Sequence, residues 1–388
     1  MFEYVRANGQ AARADITRAL DISAGSATTL TADLIAAGFL QEVVGTPREQ
    51  GRGRPPVALA VVPEAAHVIG IKLSYKSHTA VLTNFAGEMI ADLSMQASDK
   101  RLSLPQLMEE ITRLIDRLLG QNQMDRSDVH AVGIGMPGII DPITGLVHWS
   151  SLLQNRDENL RALFATQFEM PVYLDNDANM LTLAELWFGA GRSMSDFAVV
   201  TIENGVGMGL VLDNCLYRGA HGVGLELGHT KVQLDGALCR CGQRGCLEAY
   251  LADYALTREA ATALEFAFDE SHSRQDVLEV LLAEAEAGQP AARSIFRRAG
   301  RYLSLGLSNV VQLFDPELII LSGERMQHSN LFVSQIMEEM QEMTLSEGRK
   351  PCDAAIHPCS DLVWARGATA LALSALTDTL LGAEAAVS

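Results

Sequence analysis

The sequence predicts an α/β protein in which a winged helix-turn-helix precedes a larger domain. A chain of 388 residues is too long for one ordinary hydrophobic core and indicates two or three domains. Residues 1–62 contain six basic and six acidic side chains, so the entire net charge of −18 lies in the rest of the chain. We therefore expect the N-terminal segment to be a separate unit.

Three short helical patterns and two strand-like runs specify this N-terminal unit. The helical patterns run from Phe2 to Asn8, from Arg13 to Leu20 and from Ala24 to Ala37, and Ser23 can cap the third. Residues 39–44 and 57–62 are strand-like, and a basic segment rich in glycine and proline joins them. This order predicts a winged helix-turn-helix over residues 1–62, with the third helix entering a major groove of DNA.

The third helix and the wing offer polar and basic side chains to DNA. Hydroxyl groups on the polar face of the helix can reach base edges or phosphates, and arginines of the wing can enter a minor groove. Chain positions between Arg18 and Arg48 carry no lysine or arginine, so phosphate anchoring must come from the second helix and the wing. The predicted contacts are Arg13, Arg18, Ser26, Thr28, Thr29, Arg48, Arg52 and Arg54. The alternative is a small helical protein-interaction module.

Composition excludes several classes of protein. The chain is 48% hydrophobic and 20% charged, which is ordinary for a globular protein, and its negative charge argues against nucleic-acid contact over the whole surface. The first ten residues lack the apolar run of a secretory leader. Asp378 and Glu384 interrupt the apolar tail, so we expect a packed helix and not a membrane span. Three of the six cysteines follow no disulfide framework, which favours a reducing cytoplasm.

The other three cysteines form a compact cluster with a histidine. His229, Cys239, Cys241 and Cys246 lie within residues 229–246, and the intervening segment contains glycine, arginine and glutamine. Imidazole and thiolate groups are the donors that Zn²⁺ prefers, and four of them fill a tetrahedral site. Such a site has no open position for water, so we expect a structural Zn²⁺ that holds a loop. The alternative is three unrelated buried thiols and a surface histidine.

The stretch from Gly222 to Tyr250, which contains this cluster with Glu226 and Glu248, resembles the signature of the ROK family of bacterial sugar kinases and transcriptional repressors. The resemblance extends from about His67 to the C-terminus. The Gly-Arg-Gly-Arg-Pro run at residues 51–55 resembles the wing of the family's repressors, whereas its kinases lack this domain. Ala24 and Thr29 stand where those repressors usually carry basic residues. The chain is identified as a member of the repressor branch.

The resemblance implies a two-lobed actin-like α/β domain after the winged helix, with a ligand cleft between the lobes. We expect the first lobe over residues 63–178 together with a C-terminal helix over residues 366–386. The second lobe, with the zinc site, is expected over residues 179–365.

The positions that bind nucleotide in the family's kinases differ in this chain. Lys72 stands where those kinases have an aspartate, and Tyr75 stands where they have a glycine. Glu203 begins the second phosphate-binding segment, and the glycine run near the C-terminus is reduced to Gly323 between Ser322 and Glu324. A bulky ring and a carboxylate would oppose bound phosphate through size and like charge. The resemblance therefore implies a chain that is not an enzyme.

The positions that bind sugar in the family are retained. The resemblance carries this role to Asn176, Asp177, Glu226, His229, Glu248 and the backbone around Gly138. Asp177 would be the catalytic base if the chain were a kinase. Directed donors and acceptors are what sugar recognition requires, because each buried hydroxyl needs partners. The alternatives are that Asn176 and Asp177 form an ordinary turn and that Glu248 begins a solvated helix.

These observations predict a sugar-responsive DNA-binding transcriptional regulator, a repressor of carbohydrate metabolism genes. The implied partners are a double-stranded DNA operator, a sugar or sugar derivative as effector, and further copies of the chain in a homodimer or homotetramer. Two alternatives remain open. One is a sugar kinase that phosphorylates a hexose with ATP, and the other is a repressor controlled by a protein partner.

Overall fold

The computed structural model of the protein describes residues 1–44, 57–98, 100–264, 273–323, 333–345, 347–348, 352–357 and 360–385. The chain divides into two compact units. Unit 1 comprises Met1–Arg192 with Asp361–Ser388, and unit 2 comprises Ser193–Ser360. Within the described ranges, the helices are too short or too polar to cross a membrane.

The N-terminal part of unit 1 is a winged helix with three helices and a three-stranded antiparallel sheet. Its elements are α1 (Phe2–Asn8), β1 (Gln10–Ala12), α2 (Arg13–Leu20), α3 (Ala24–Ala36), β2 (Leu40–Val44) and β3 (Val57–Val61), and the strand order is β1-β3-β2. Ser23 caps α3 as expected, since its Oγ accepts a hydrogen bond from the Ser26 amide at 3.0 Å. Strand β1 was not predicted, because three residues are too few to show a strand pattern.

The rest of unit 1 is built on a five-stranded sheet with the order β11-β7-β4-β5-β6. The strands are β4 (His67–Lys72), β5 (Ser77–Asn84), β6 (Met89–Gln96), β7 (Ala131–Met136) and β11 (Val172–Asn176). Strands β4, β5 and β6 are antiparallel neighbours, whereas β4, β7 and β11 are parallel. A smaller antiparallel sheet contains β8 (Ile139–Asp141), β9 (Leu146–Trp149) and β10 (Glu158–Asn159).

Helices cover both faces of the five-stranded sheet. They are α4 (Leu104–Gln121), α5 (Leu160–Phe164), α6 (Asp177–Phe188) and α12 (Asp361–Ala385). Alternate residues of β4 divide between the two faces. Ile69 and Ile71 join the core beneath α4, while Gly70 faces α12, where an added Cβ would lie 2.2 Å from the Ala365 carbonyl oxygen. A glycine is therefore required for the C-terminal helix to pack this closely on the sheet.

The predicted lobe boundary after residue 178 lies inside α6, whereas unit 1 continues to Arg192. The reason is the packing of α6 on α12. An added Cβ at Gly367 of α12 would lie 1.7 Å from the carbonyl oxygen of Met180 in α6, so the two backbones are almost in contact. The predicted C-terminal helix over residues 366–386 overlaps α12, which begins five residues earlier and is described as far as Ala385.

Unit 2 contains a second five-stranded sheet with the order β14-β13-β12-β15-β16. The strands are β12 (Phe197–Ile202), β13 (Val206–Leu212), β14 (Cys215–Tyr217), β15 (Leu318–Ser322) and β16 (Asp353–His357). The described helices are α7 (Glu248–Leu251), α8 (Asp253–Ala263), α9 (Arg274–Glu286), α10 (Pro290–Phe314) and α11 (Val333–Met343). Both sheets have their first three strands antiparallel and their last two parallel, in the spatial order 3-2-1-4-5. This duplication is expected of an actin-like fold, which confirms the predicted fold class.

Candidate functional site

The predicted DNA-contacting hydroxyl groups lie on the exposed surface of α3. Ser26, Thr28 and Thr29 are all exposed, whereas Ala27 and Thr31 are buried against the rest of the winged helix. The Thr28 hydroxyl donates to the Ala24 carbonyl oxygen at 2.8 Å. The structure therefore brings the predicted polar residues to one accessible helix, opposite its buried stripe.

The two predicted arginines of α2 have different surroundings. Arg13 is partly buried, and it donates to the Thr31 hydroxyl at 3.2 Å and to the Glu42 carboxylate at 2.9 Å, which ties α2 to α3 and β2. Arg18 is exposed and lies 3.6 Å from the Asp15 carboxylate. Arg18 is thus the more accessible cation. The predicted wing residues Arg48, Arg52 and Arg54 lie outside the described residues.

Three predicted sugar-binding positions lie at the carboxyl ends of parallel strands in unit 1. Gly138 follows β7 and has a φ of 139°. It packs closely on β9, because an added Cβ would lie 2.1 Å from the Trp149 carbonyl oxygen. The Ser150 hydroxyl fixes the same segment by donating to the Pro137 carbonyl oxygen at 2.6 Å. Only glycine fits this position, and the sheet edge where it lies is where ligands of parallel sheets bind.

Asn176 and Asp177 lie at the junction of β11 and α6. The Asn176 Oδ1 accepts from the Asn179 amide at 2.8 Å, so Asn176 is the N-cap of α6. The buried Asp175 carboxylate accepts from the Asn176 amide at 2.8 Å and from the Asn179 side chain at 2.7 Å. The local turn considered as an alternative is therefore present. It engages Asn176 through Oδ1, and the Nδ2 donor takes no part in the cap.

The Asp177 carboxyl group lies in a partly desolvated position. Burial raises its pKa above the usual range, while the positive charge of Lys72 and the amide of Ala178 lower it. The Ala178 amide donates to Asp177 Oδ1 at 2.9 Å. Lys72, at the end of β4, is the cation that faces this carboxylate.

Lys72 is itself held by residues of α12 that sequence reasoning missed. Its ammonium group lies 2.6 Å from Asp361 Oδ1 and 3.5 Å from the centre of the Trp364 ring. The Ser77 hydroxyl donates to the other Asp361 oxygen at 2.7 Å. Burial alone would raise the pKa of Asp361, but the charge and hydrogen bond of Lys72 outweigh it and hold that pKa below the usual range. Tyr75 is exposed in the turn between β4 and β5.

The four predicted metal ligands converge in unit 2. Their donor atoms all lie within 4.8 Å of one another. Cys239 Sγ lies 3.7 Å from His229 Nδ1, and Cys241 Sγ lies 3.7 Å from Cys246 Sγ. Donors that surround one Zn²⁺ tetrahedrally at 2.0–2.3 Å are about 3.3–3.8 Å apart. The cluster can therefore hold a metal ion, and its donor set and spacing fit zinc.

Glu248 is held against this cluster. One carboxylate oxygen accepts from the Val206 amide at 3.4 Å, and the other accepts from the Tyr254 hydroxyl at 3.3 Å and lies 3.6 Å from Cys239 Sγ. Burial, together with the neighbouring thiol, raises the pKa of Tyr254 well above its usual range. Glu226 and His229 belong to one helical turn, because the His229 amide donates to the Glu226 carbonyl oxygen at 2.9 Å. Unit 2 therefore places His229 and Glu248 beside Cys239, and it places the backbone of Glu226 one helical turn before His229.

The turn from β12 to β13 contains the carboxylate predicted to oppose phosphate. Glu203 closes the turn through its amide, which donates to the Gly205 carbonyl oxygen at 2.9 Å, and its own carbonyl oxygen accepts from the Asp253 amide at 3.0 Å. Gly323 follows β15, and an added Cβ there would lie 2.3 Å from the Ile202 carbonyl oxygen. Glu324 lies outside the described residues.

The fold and these sites define a class of protein, namely a DNA-binding winged helix joined to a duplicated, actin-like sugar-kinase fold. The family model described as ROK matches residues 68–375, so the chain belongs to the ROK family. The chain is 29% identical to the xylose repressor of Caldicellulosiruptor bescii over 333 residues, which cover 84% of this chain and 82% of that protein.

Solved structures agree with this assignment. A ROK family transcriptional regulator, a homologue of the Escherichia coli Mlc protein, matches with a TM-score of 0.77 at 26% identity and covers 96% of this chain and 93% of that one. A ROK family glucokinase from Streptomyces griseus, in complex with glucose and AMPPNP, matches with a TM-score of 0.67 at 26% identity, over 80% of this chain and all of the kinase. The predicted assignment to the repressor branch is confirmed.

Proposed function

We propose that this protein is a cytoplasmic, sugar-responsive transcriptional repressor that binds a DNA operator. One observation carries the proposal. Unit 1 contains both an exposed helix-turn-helix surface and, at the carboxyl end of β11 in its five-stranded sheet, Asn176 and Asp177. Similarity to repressors over more than four-fifths of the chain supports it. The names of those relatives agree with the function predicted from the sequence.

The proposed effector is a monosaccharide or a close derivative. The proposed ligands are Gly138, Asn176 and Asp177 in unit 1, and Glu226, His229 and Glu248 in unit 2. Carboxylates accept hydrogen bonds from hydroxyl groups, and the Asn176 Nδ2 can donate one, so each group of residues offers partners to sugar hydroxyls. Discrimination between sugars would come from hydroxyls that lack a partner, at about 1–3 kcal/mol for each buried unsatisfied group.

The proposed role of the metal cluster is structural, with zinc as the ion. His229, Cys239, Cys241 and Cys246 would hold it through one nitrogen and three sulfurs. Because Nδ1 of His229 faces the thiols, Nε2 remains for a sugar hydroxyl, and the metal fixes which nitrogen carries the proton. The zinc would therefore position one sugar contact and, through Cys239, stabilise the surroundings of Glu248.

The proposed DNA contacts are Ser26, Thr28 and Thr29 on α3, Arg18 and Arg13 on α2, and the wing arginines Arg48, Arg52 and Arg54. A homodimer or homotetramer would present two α3 helices to half-sites about one helical turn of DNA apart. Sugar binding would change DNA affinity by favouring one arrangement of the chain, and DNA would change sugar affinity by the same factor.

A sugar kinase is the second candidate, because Asp177 is retained and the glucokinase similarity covers the whole of that kinase. We propose that the chain is not an enzyme. Lys72 is engaged by Asp361 and Trp364 at the position where the kinases carry an aspartate, and a carboxylate begins the β12–β13 turn. A coupled assay for ATP turnover with glucose, xylose and N-acetylglucosamine tests this directly.

The main experiment measures sugar and DNA binding by the full chain. Thermal unfolding is followed with hexoses, pentoses, N-acetylated sugars and their phosphates, and DNA is selected from a random duplex pool. A sugar at a hundred times its Kd stabilises the protein by about 2.7 kcal/mol. Asn176→Ser keeps a good helix cap but removes the amide donor, so it should abolish the sugar effect at little cost in stability.

Asn159→Ser is the matched control. Asn159 caps α5 by accepting from the Ala162 amide at 2.8 Å, and it belongs to no predicted ligand set. Selection of a duplex without any sugar effect would contradict the sugar part of the proposal and favour control by a protein partner. Failure to select any duplex, or steady phosphorylation of a sugar, would contradict the whole proposal.

A further inference from the structure

A buried arginine joins the winged helix to the rest of unit 1. Arg6 of α1 is only 7% exposed, and its Nη2 donates to the Thr377 hydroxyl of α12 at 2.6 Å. Its Nη1 lies 3.1 Å from the Glu3 carboxylate of the same helix. Burial lowers the pKa of Arg6 to about 10, so the group remains charged at neutral pH. A buried charge of this kind is tolerated only where its partners are fixed.

Three aromatic rings, from different segments of unit 1, lie close to the Arg6 guanidinium group. Its central carbon lies 4.7 Å from the ring centre of Phe2, 5.1 Å from that of Phe85 and 5.0 Å from that of Trp187. Phe2 belongs to the winged helix, Phe85 follows β5, and Trp187 belongs to the last turn of α6. A single side chain of the DNA-binding domain therefore contacts both α6 and α12.

Helix α6 connects this joint to the candidate sugar site. It begins at Asp177 and carries Trp187 ten residues later, a distance of about 15 Å along a helix. The contact of Gly367 with the Met180 backbone leaves no space between α6 and α12. Close-packed backbones transmit displacement instead of absorbing it. A shift of the Asp177 end of α6 would therefore reach both partners of Arg6.

We propose that Arg6 is the positioning residue through which the sugar state of α6 sets the orientation of the winged helix. The inference rests on the proposed function and adds the route by which the two binding events are coupled. The contacts of Arg6 with Trp187 and with Thr377 would change together when α6 and α12 move. Loss of either contact leaves both binding surfaces in place and removes the connection between them.

The test compares two threonines of α12. Thr377→Val removes the acceptor for Arg6 and keeps the shape of the side chain. Thr379→Val is the matched control, because Thr379 is exposed and its hydroxyl donates to the Ala375 carbonyl oxygen at 2.9 Å, as Thr377 does to Leu373 at 2.7 Å. Arg6→Lys provides a second variant that keeps the charge but not the planar group.

The measured quantity is the ratio of DNA dissociation constants with and without sugar. The probes are a duplex selected by the unmodified chain and whichever of xylose, glucose or N-acetylglucosamine raises its Tm. We expect a ratio of roughly tenfold for the unmodified chain and for Thr379→Val, and less than about twofold for Thr377→Val and Arg6→Lys. The sugar-induced rise in Tm and the sugar-free DNA affinity should change little.

The outcomes separate this inference from the proposed function. If the unmodified chain selects no duplex or responds to no sugar, the proposed function fails and the inference with it. If the unmodified chain responds and both variants keep its full ratio, only the inference is overturned. Loss of the sugar-induced rise in Tm in Thr377→Val would also overturn it, since the joint would then belong to the sugar site itself.

Discussion

Replacement of Asp361 by asparagine tests whether the partly buried ion pair of Asp361 with Lys72 stabilises unit 1. The substitution removes a charge and keeps the size of the side chain. It leaves Lys72, whose side chain is 9% exposed, facing Trp364 and Ser77 without the carboxylate that lies 2.6 Å away. We expect a destabilised unit 1 with an unchanged unit 2.

The magnitude follows from the geometry. Two unit charges 2.6 Å apart attract by about 6 kcal/mol at an effective dielectric constant of 20. Asp361 is 33% exposed, so solvent screens part of this attraction, and desolvation of Lys72 offsets more of it. We expect a net loss of about 2–3 kcal/mol, below the full cost of breaking a completely buried pair.

The assay can observe unit 1 alone. All three tryptophans of the chain, Trp149, Trp187 and Trp364, belong to unit 1, so tryptophan emission during urea denaturation reports on that unit. Two units need not unfold together, and far-ultraviolet circular dichroism, which records both units, reveals the unfolding of unit 2 where it differs from the tryptophan transition. Asp15→Asn is the control, because the exposed pair of Asp15 with Arg18 at 3.6 Å should contribute less than about 0.5 kcal/mol.

The pH dependence has a defined sign. The pKa of Asp361 is lower in the folded state than in the unfolded state, so its contribution is complete above the unfolded pKa and is lost as pH falls through the folded pKa. Lys72→Met combined with Asp361→Asn should cost less than Asp361→Asn alone, because the double variant leaves no buried ammonium group without its Asp361 partner. The reasoning is refuted if Asp361→Asn unfolds at the same urea concentration as the unmodified chain.

Three further predictions follow from other contacts. Burial lowers the pKa of His78 despite its hydrogen bond to Glu110, so the stability of the folded state falls as pH drops below about 6.5. His78→Gln should therefore reduce the pH dependence of the urea midpoint in this range. Gly367→Ala should cost about 1–3 kcal/mol by urea denaturation, whereas Gly382→Ala in the same helix, with open space around it, should stabilise by up to about 1 kcal/mol. Removal of metal with a chelator should lower the unfolding midpoint seen by circular dichroism and leave the tryptophan transition in place, and metal analysis should find one zinc per chain.

Features with local causes could be predicted from the sequence. The bounds of α1 and α2 agree with the predicted ranges. The apolar residues that indicate each helix and the residues that end it lie within a few positions of one another in the sequence. The metal cluster was found for the same reason, since its four ligands lie within residues 229–246. In each case the relevant physical interaction spans less than about twenty residues.

Contacts between distant residues could not be predicted. Lys72 and Asp361 are 289 positions apart, and Arg6 and Thr377 are 371 positions apart. No local sequence pattern predicts either pair, because a single charged or hydroxyl side chain on a helix is ordinarily exposed to solvent. The boundary of unit 1 also depends on a contact between residues that are distant in the sequence. The packing of Gly367 on Met180 places α6 with α12, and only the folded chain shows that the two helices meet.

The two groups of candidate sugar ligands are held in place by different interactions. Asn176 and Asp177 are fixed by backbone hydrogen bonds at the start of α6, which need no metal. Glu248 and His229 lie at the cluster within residues 229–246 that is proposed to hold the metal. Metal removal should therefore weaken sugar binding while leaving the α3 surface intact. A metal-free chain is then expected to bind DNA with the affinity of the sugar-free protein and to lose the response to sugar, and a competition assay with the selected duplex would show both effects.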